Sequence, residues 1–148
     1  MSDDRDEIEK LIFTYAERMD AGDIDGVAAL FEHASVANDK GEVVTGTEAL
    51  ATRWRKSVII HPDGTPRTRH VTTNLVVDLD EGAGTATARS YVTVFQEVEG
   101  ALPLQPIFAG TYDDRFARVD GRWRFTARHK GTHSLGDLSH HISYVVTR

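Results

Sequence analysis

Arg67-Thr68-Arg69-His70-Val71-Thr72-Thr73-Asn74-Leu75-Val76-Val77-Asp78-Leu79 is the stretch at which the chain changes period. Strict alternation places Thr68, His70, Thr72, Asn74 and Val76 on one face of a strand, with Val71, Leu75, Val77 and Leu79 on the other. The same period predicts strands over about 67–79, 85–98, 106–119 and 122–132. Asp80-Glu-Gly-Ala-Gly84 and Val119-Asp120-Gly121 join neighbours as hairpins, Asp-Gly being a strong signal for a tight turn. Glu99–Pro106 reads as a longer, proline-bearing loop, and His129–Arg148 as a tail.

Upstream of Arg67 the period is helical. Ile8, Leu11, Ile12, Tyr15, Ala16 and Met19 recur at the spacing of one apolar helix face. Ser2, Asp3 and Asp4 are positioned to cap this helix, and Gly22 to end it. Asp23 caps a short second helix that turns Ile24, Val27, Ala28, Leu30 and Phe31 inward. A strand near Ser35–Asn38 and a turn at Asp39-Lys-Gly41 follow. Thr45-Gly-Thr-Glu48 has the form of a capping box for a third helix over about 46–58. Helices first and long antiparallel strands afterwards make an α+β layout, read as a single domain over residues 1–148. A curved sheet of this kind, with three helices packed on one face, forms a cone that encloses a small-molecule pocket.

Composition narrows the function classes. Seventeen Lys and Arg against twenty-three Asp and Glu give a net charge of −6, opposed to nucleic acid and to an anionic membrane surface. The absence of cysteine excludes disulfides and thiolate chemistry and fits a cytoplasmic location. The acidic N-terminus is not followed by an apolar signal-like region, and the apolar runs are too short to span a bilayer. No glycine-rich phosphate loop is present, and His129-x-x-x-His133 lacks a third partner, so neither cofactor nor metal is expected.

The chemistry centres on Asp20 and His70. A carboxylate touching an imidazole makes a proton-transferring base near neutral pH. Asp20 stands in the last turn of its helix, where the macrodipole disfavours an anion by about 0.3–1 kcal/mol, and it reads either as a carboxylate reaching the pocket rim or as a loop residue bonded to its own backbone. Tyr15 reads either as a core aromatic or as a hydroxyl donor into the pocket. Asn74 is a candidate second donor, while Trp54, Phe31, Val92, Phe108 and Tyr112 read as core or pocket wall. Arg115, Arg118, Arg122, Arg124 and Arg128 read as a solvated or interface face, and Ser139-His140-His141 as exposed tail.

Tyr15-x4-Asp20-x2-Asp23, Leu30-Phe31, Thr45-Gly-Thr-Glu48-Ala-Leu50, Arg69-His70-x3-Asn74, Ala88-Arg-Ser-Tyr91, Gly110-Thr-Tyr112-x2-Arg115-Phe116 and Asp120-Gly-Arg-Trp123-Arg-Phe125 together resemble the SnoaL-like family of the nuclear-transport-factor-2-like superfamily. The resemblance runs from about Asp6 to about His129 and implies the cone-shaped α+β fold. Its members include scytalone dehydratase, lindane dehydrochlorinase, bile-acid dehydratases and polyketide cyclases. The small subunits of ring-hydroxylating dioxygenases share the fold without holding the metal. In the dehydratase-like branch an Asp ending the first helix pairs with a His on the first long strand, which implies Asp20 and His70 here. Tyr15 occupies a position that carries a pocket tyrosine or a lysine in different members. The expectation is a cofactor-independent lyase or isomerase acting on a hydrophobic, ring-bearing molecule, with His70 as base, Asp20 orienting it and Tyr15 on the substrate oxygen. The alternative is a non-catalytic ligand-binding or oligomer-forming subunit, including the dioxygenase small-subunit role. Resemblance and the apolar sheet faces imply a homodimer or homotrimer.

Overall fold

The helical period holds as far as Ser57, and the strand period takes over at Thr68. The computed structural model describes residues 3–146. Its elements are α1 (Asp3–Asp20), α2 (Ile24–Ala29), β1 (Ser35–Asn38), β2 (Val43–Thr45), α3 (Thr47–Ser57), β3 (Thr68–Asp80), β4 (Thr85–Val98), β5 (Leu102–Val119) and β6 (Arg122–Leu135). No described helix is long and apolar enough to cross a membrane.

The six strands form one curved, open sheet in the order β2-β1-β6-β5-β4-β3. β3 to β6 are an antiparallel meander, but β1 runs parallel to β6, with Val36 beside Arg128. The sheet is therefore mixed, not purely antiparallel as expected. β1 enters from α2, and the chain then passes through β2, α3 and three long strands before its parallel partner appears. Register shifts in β3–β4, β4–β5 and β5–β6 bend the long strands around the helices. Asp120 (φ 54°) and Gly121 (φ 78°) both take positive φ, as the primed two-residue turn of the last hairpin requires.

α1 buries Ile8, Ile12, Tyr15, Ala16 and Met19, the expected stripe. Its acidic start is used on the sheet: Asp4 accepts from the Trp123 indole at 3.0 Å, and Glu7 from the Trp123 backbone N–H at 2.7 Å. Those two bonds pin α1 across the last hairpin. Ser2 lies outside the described residues. Asp23 caps α2 by accepting from the Gly26 N–H. Phe31 stacks on Phe125 with ring centroids 4.7 Å apart, joining α2 to the sheet.

Two local expectations fail for identifiable reasons. The capping box at Thr45 does not form. Thr45 is the last residue of β2, its hydroxyl is shared with Ser35 across the β1–β2 hairpin, and Gly46 stands at the N-cap of α3 without a side-chain bond. Glu99–Pro106 is not a loop beyond Ala101, because β5 already starts at Leu102. Pro103 is tolerated there because β6 pairs with β5 only from Phe108 onward, so that side of the strand needs no donor.

Candidate active site

Gly22 is the hinge on which the site is built. Its φ of +79° ends α1, and a Cβ at this position would stand 2.2 Å from the Gly64 carbonyl oxygen. The bare glycine thus lets the loop before β3 lie directly on the end of α1, delivering Thr68 and His70 to Asp20. The Asp20 carboxylate accepts from the Thr68 hydroxyl at 2.8 Å, the His70 backbone N–H at 2.8 Å and the His70 Nδ1–H at 2.5 Å. Those bonds offset the unfavourable end of the helix dipole. Burial pushes the Asp20 carboxyl up, but the His70 bonds and charge, with the Thr68 bond, hold it below the usual carboxylate range. An ionised carboxylate only accepts, so Nδ1 of His70 carries a proton, and the neutral form of the ring presents its lone pair at Nε2. The side chains are 7 % (His70) and 13 % (Asp20) exposed, shielded but not sealed.

His70 lines a cavity of about 330 Å³ between α1, α3 and the concave face of the sheet. Tyr15, one and a half turns before Asp20, lines it too, with its ring 6.1 Å from that of His70 and 5.8 Å from that of Tyr112. The Tyr15 and Tyr112 hydroxyls are hydrogen-bonding neighbours, and burial holds the Tyr112 phenol well above its ordinary value, so it remains a protonated donor. Trp54 and Phe108 complete this wall, the Phe108 ring resting on Gly110, where a Cβ would stand 2.7 Å from it. Lys130, Thr132, Val36 and Val44 also line the cavity. Among the described residues, no group of three or more His, Asp or Glu side chains gathers where it could hold a metal ion.

Other candidates fall elsewhere. Phe31 and Val92 are fully buried in the core and do not line the cavity. Asn74 does not line it either: it is exposed, with φ 53°, at a bulge where the β3–β4 register slips between Thr73 and Val76. The extra residue reverses the alternation, so the buried set runs Thr68, His70, Thr72 and then Leu75, Val77, Leu79. Asparagine suits the left-handed bulge position better than most side chains, which accounts for it there.

The opposite reversal occurs in β6. Phe125 faces Phe116 and Ala127 faces Arg115, leaving one residue of β6 over. The inward set therefore switches from Trp123 and Phe125 to Arg128, which is not on the solvated face the alternation implied. Arg128 donates to both Asp114 oxygens at 2.7 and 3.0 Å, and its guanidinium lies 3.7 Å from the Tyr112 ring centroid and 4.5 Å from that of Tyr15. Burial opposes its charge, but Asp114 and the two phenols raise its pKa above the ordinary arginine value. His141 is the second surprise. It is buried, not exposed tail, and lines the cavity with its ring 6.4 Å from that of His70. The signal missed was Leu138, His141 and Ile142 at i, i+3, i+4, the spacing of one helical turn.

A family model for the SnoaL-like domain matches residues 1–129. The chain belongs to the SnoaL-like family. A protein of unknown function from Mycobacterium tuberculosis, Rv3472, shares 28 % identity and a TM-score of 0.72, covering 89 % of this chain and 73 % of its own. A putative scytalone dehydratase from Novosphingobium aromaticivorans shares 26 % identity and a TM-score of 0.73, covering 97 % and 89 %. A cystatin-like-fold protein from Nostoc punctiforme, at 19 % identity and TM-score 0.74, covering 93 % and 97 %, is similar in fold alone. No curated protein matches the sequence. SnoaL-like membership accounts for the helices followed by a curved open sheet; the chemistry rests on the residues described above.

Proposed function

We propose that this SnoaL-like protein is a cofactor-independent lyase or isomerase, dehydratase-like, acting on a hydrophobic small molecule with the Asp20–His70 pair as general base. The observation that carries this reading is the 2.5 Å contact between Asp20 and His70 Nδ1, which makes Nε2 the basic nitrogen of the neutral ring in a cavity also lined by Tyr15. The likeness to a putative scytalone dehydratase supports the lyase side of it.

In this reading His70 Nε2 takes a proton from a carbon beside a carbonyl. The C–H electron pair becomes the new C=C bond, and the carbonyl π pair moves onto oxygen, where the Tyr15 hydroxyl donates. Asp20 keeps the imidazole in the correct tautomer and stabilises the imidazolium. In an elimination the enolate pair returns and expels the group on the β-carbon. A leaving hydroxide takes the proton back from His70 and departs as water. In an isomerisation the same proton returns to a different carbon.

The test is deuterium wash-in from D2O into bicyclic ketones such as 2-tetralone, followed by proton NMR. The protein is expected to accelerate exchange at the carbon beside the carbonyl, and His70→Ala, folded by circular dichroism, to lose about 10²–10⁴-fold of that rate. Equal exchange by wild type and His70→Ala would sink the reading, and no acceleration with any ketone would favour a ligand-binding role.

A further inference from the structure

We propose that His141 is a ligand-contacting residue of the cavity, delivered by the C-terminal segment, and that its Nε2–H donates a hydrogen bond to an uncharged oxygen of the bound molecule. This rests on the cavity being the ligand site, and not on the proton-transfer chemistry assigned to His70.

The segment is held firmly. His141 N–H donates to the Leu138 carbonyl at 3.0 Å, its own carbonyl accepts from Ile59 N–H at 2.8 Å, and Ser143 N–H donates to the Ser57 carbonyl at 2.9 Å. Ile142 bridges Val58 at the end of α3. The His140 carbonyl accepts from the buried Gln96 side chain at 3.0 Å and faces His61 Nε2 at 2.8 Å. Gln96 also donates to the Pro66 carbonyl at 2.9 Å, in the loop that leads to His70. One side chain thus ties together the two segments that carry the two facing histidines.

A histidine buried for packing alone normally finds partners for its nitrogens. His141 is 8 % exposed, yet its Nδ1 is shut away from any probe the size of water and has no hydrogen bond. Burial first, then the charges of His70 and Lys130, pushes the imidazole down to about 3, so the ring is neutral at physiological pH. A neutral ring carries one proton. An orphaned buried donor is rarer in proteins than an under-satisfied acceptor, which places the proton on Nε2, the nitrogen not shut away. The ring also lines the cavity, edge-on to His70 with the centroids 6.4 Å apart. Tyr15 and Tyr112 line the same cavity with hydroxyls, so an occupant that engages His141 and the phenols together is an apolar ring carrying oxygen at two edges, with its reactive carbon facing His70.

The probes are 2-naphthol and naphthalene, titrated by fluorescence against the full chain, His141→Phe and His141→Gln, with thermal melts to verify folding. Phenylalanine keeps the ring volume but loses the donor; glutamine keeps a donor. His141→Phe is expected to weaken 2-naphthol about 3- to 10-fold, the worth of one neutral hydrogen bond, with naphthalene unchanged. His141→Gln is expected to retain 2-naphthol affinity within about 2-fold. In protein labelled with ¹⁵N-histidine, the His141 signals should show the Nε2–H tautomer, with Nε2 shifting on 2-naphthol binding. Equal 2-naphthol affinity in wild type and folded His141→Phe, an Nδ1–H tautomer, or no binding of either probe to wild type would overturn the proposal. If the 2-naphthol difference appears while no ketone exchanges deuterium, His141 keeps its role and the general-base reading of His70 fails alone.

Discussion

The molecule contains two carboxylate–base pairs a few side chains apart, Asp20–His70 and Asp114–Arg128, and they are built to opposite ends. Asp114–Arg128 is closed: the side chains are 0 % and 1 % exposed, the contact is bidentate, and aromatic rings cover the guanidinium. Asp20–His70 is saturated on the carboxylate side but open on the imidazole side, where Nε2 meets a cavity. A pair whose carboxylate and guanidinium are spent on each other inside the protein stabilises one arrangement of the chain. A pair with one basic lone pair left over has chemistry to offer. The closed pair also serves the open one, because Arg128 underlies Tyr15 and Tyr112 and fixes the wall that faces His70.

The comparison breaks most directly at Arg128. Arg128→Met strands the Asp114 carboxylate in the core and is expected to cost about 3–5 kcal/mol in urea unfolding, whereas Asp114→Leu with Arg128→Met should regain most of that loss. A single variant as stable as wild type would show that the pair is not closed in solution. Next is Asp20→Asn, expected to lower ketone deuterium exchange at least 100-fold while leaving the protein folded, because the amide no longer selects the Nδ1–H tautomer. If stability collapses instead, Asp20–His70 belongs with the structural pair.

A pH series sharpens the contrast on the side of the cavity. The folded pKa of His141 lies below its ordinary 6.5, at about 3, so the unfolded chain takes up the extra proton. Its contribution is present in full above pH 6.5 and is lost as pH falls toward 3. Between pH 6.5 and 5 that loss is about 2 kcal/mol, read as a falling urea midpoint, and His141→Gln should flatten it. Asp20, also depressed, contributes stability above pH 3.8 that disappears only below it, so its loss lies at the acid end of the window. The smallest effect is expected at Asn74→Gly, which keeps the left-handed bulge: unfolding should change by less than about 0.5 kcal/mol and ketone exchange not at all. A large loss of exchange there would return Asn74 to the site.

Much of this was legible in the sequence, and two of the failures share one cause. The stripe on α1, the Asp23 cap and the Asp120-Gly121 turn are each written within a few residues or along one uninterrupted period, whereas the pairing of Asp20 with His70, 50 residues apart, came with the family resemblance. Asn74 and Arg128 were misplaced by the same mechanism acting in opposite senses. Each follows a single extra residue in its strand, which throws one polar side chain out and draws one cation in. Nothing local announces a bulge, since it is set by the register of the partner strand. His141 escaped because the partners that hold it, Gln96, Ile59 and Ser57, are far away in the chain. Val92 and Phe31 could not be told from wall residues because core and wall are equally apolar.

The parallel pairing of Val36 with Arg128 has a kinetic meaning. The hairpins β1–β2 and β3 to β6 are local, while the parallel pairing of β1 with β6 waits for nearly the whole chain. Residues of β1 and of the C-terminal turn both line the cavity, so the cavity is complete only when the two ends of the fold have met. A ligand held there will recognise only the finished fold, slowing unfolding far more than it hastens folding.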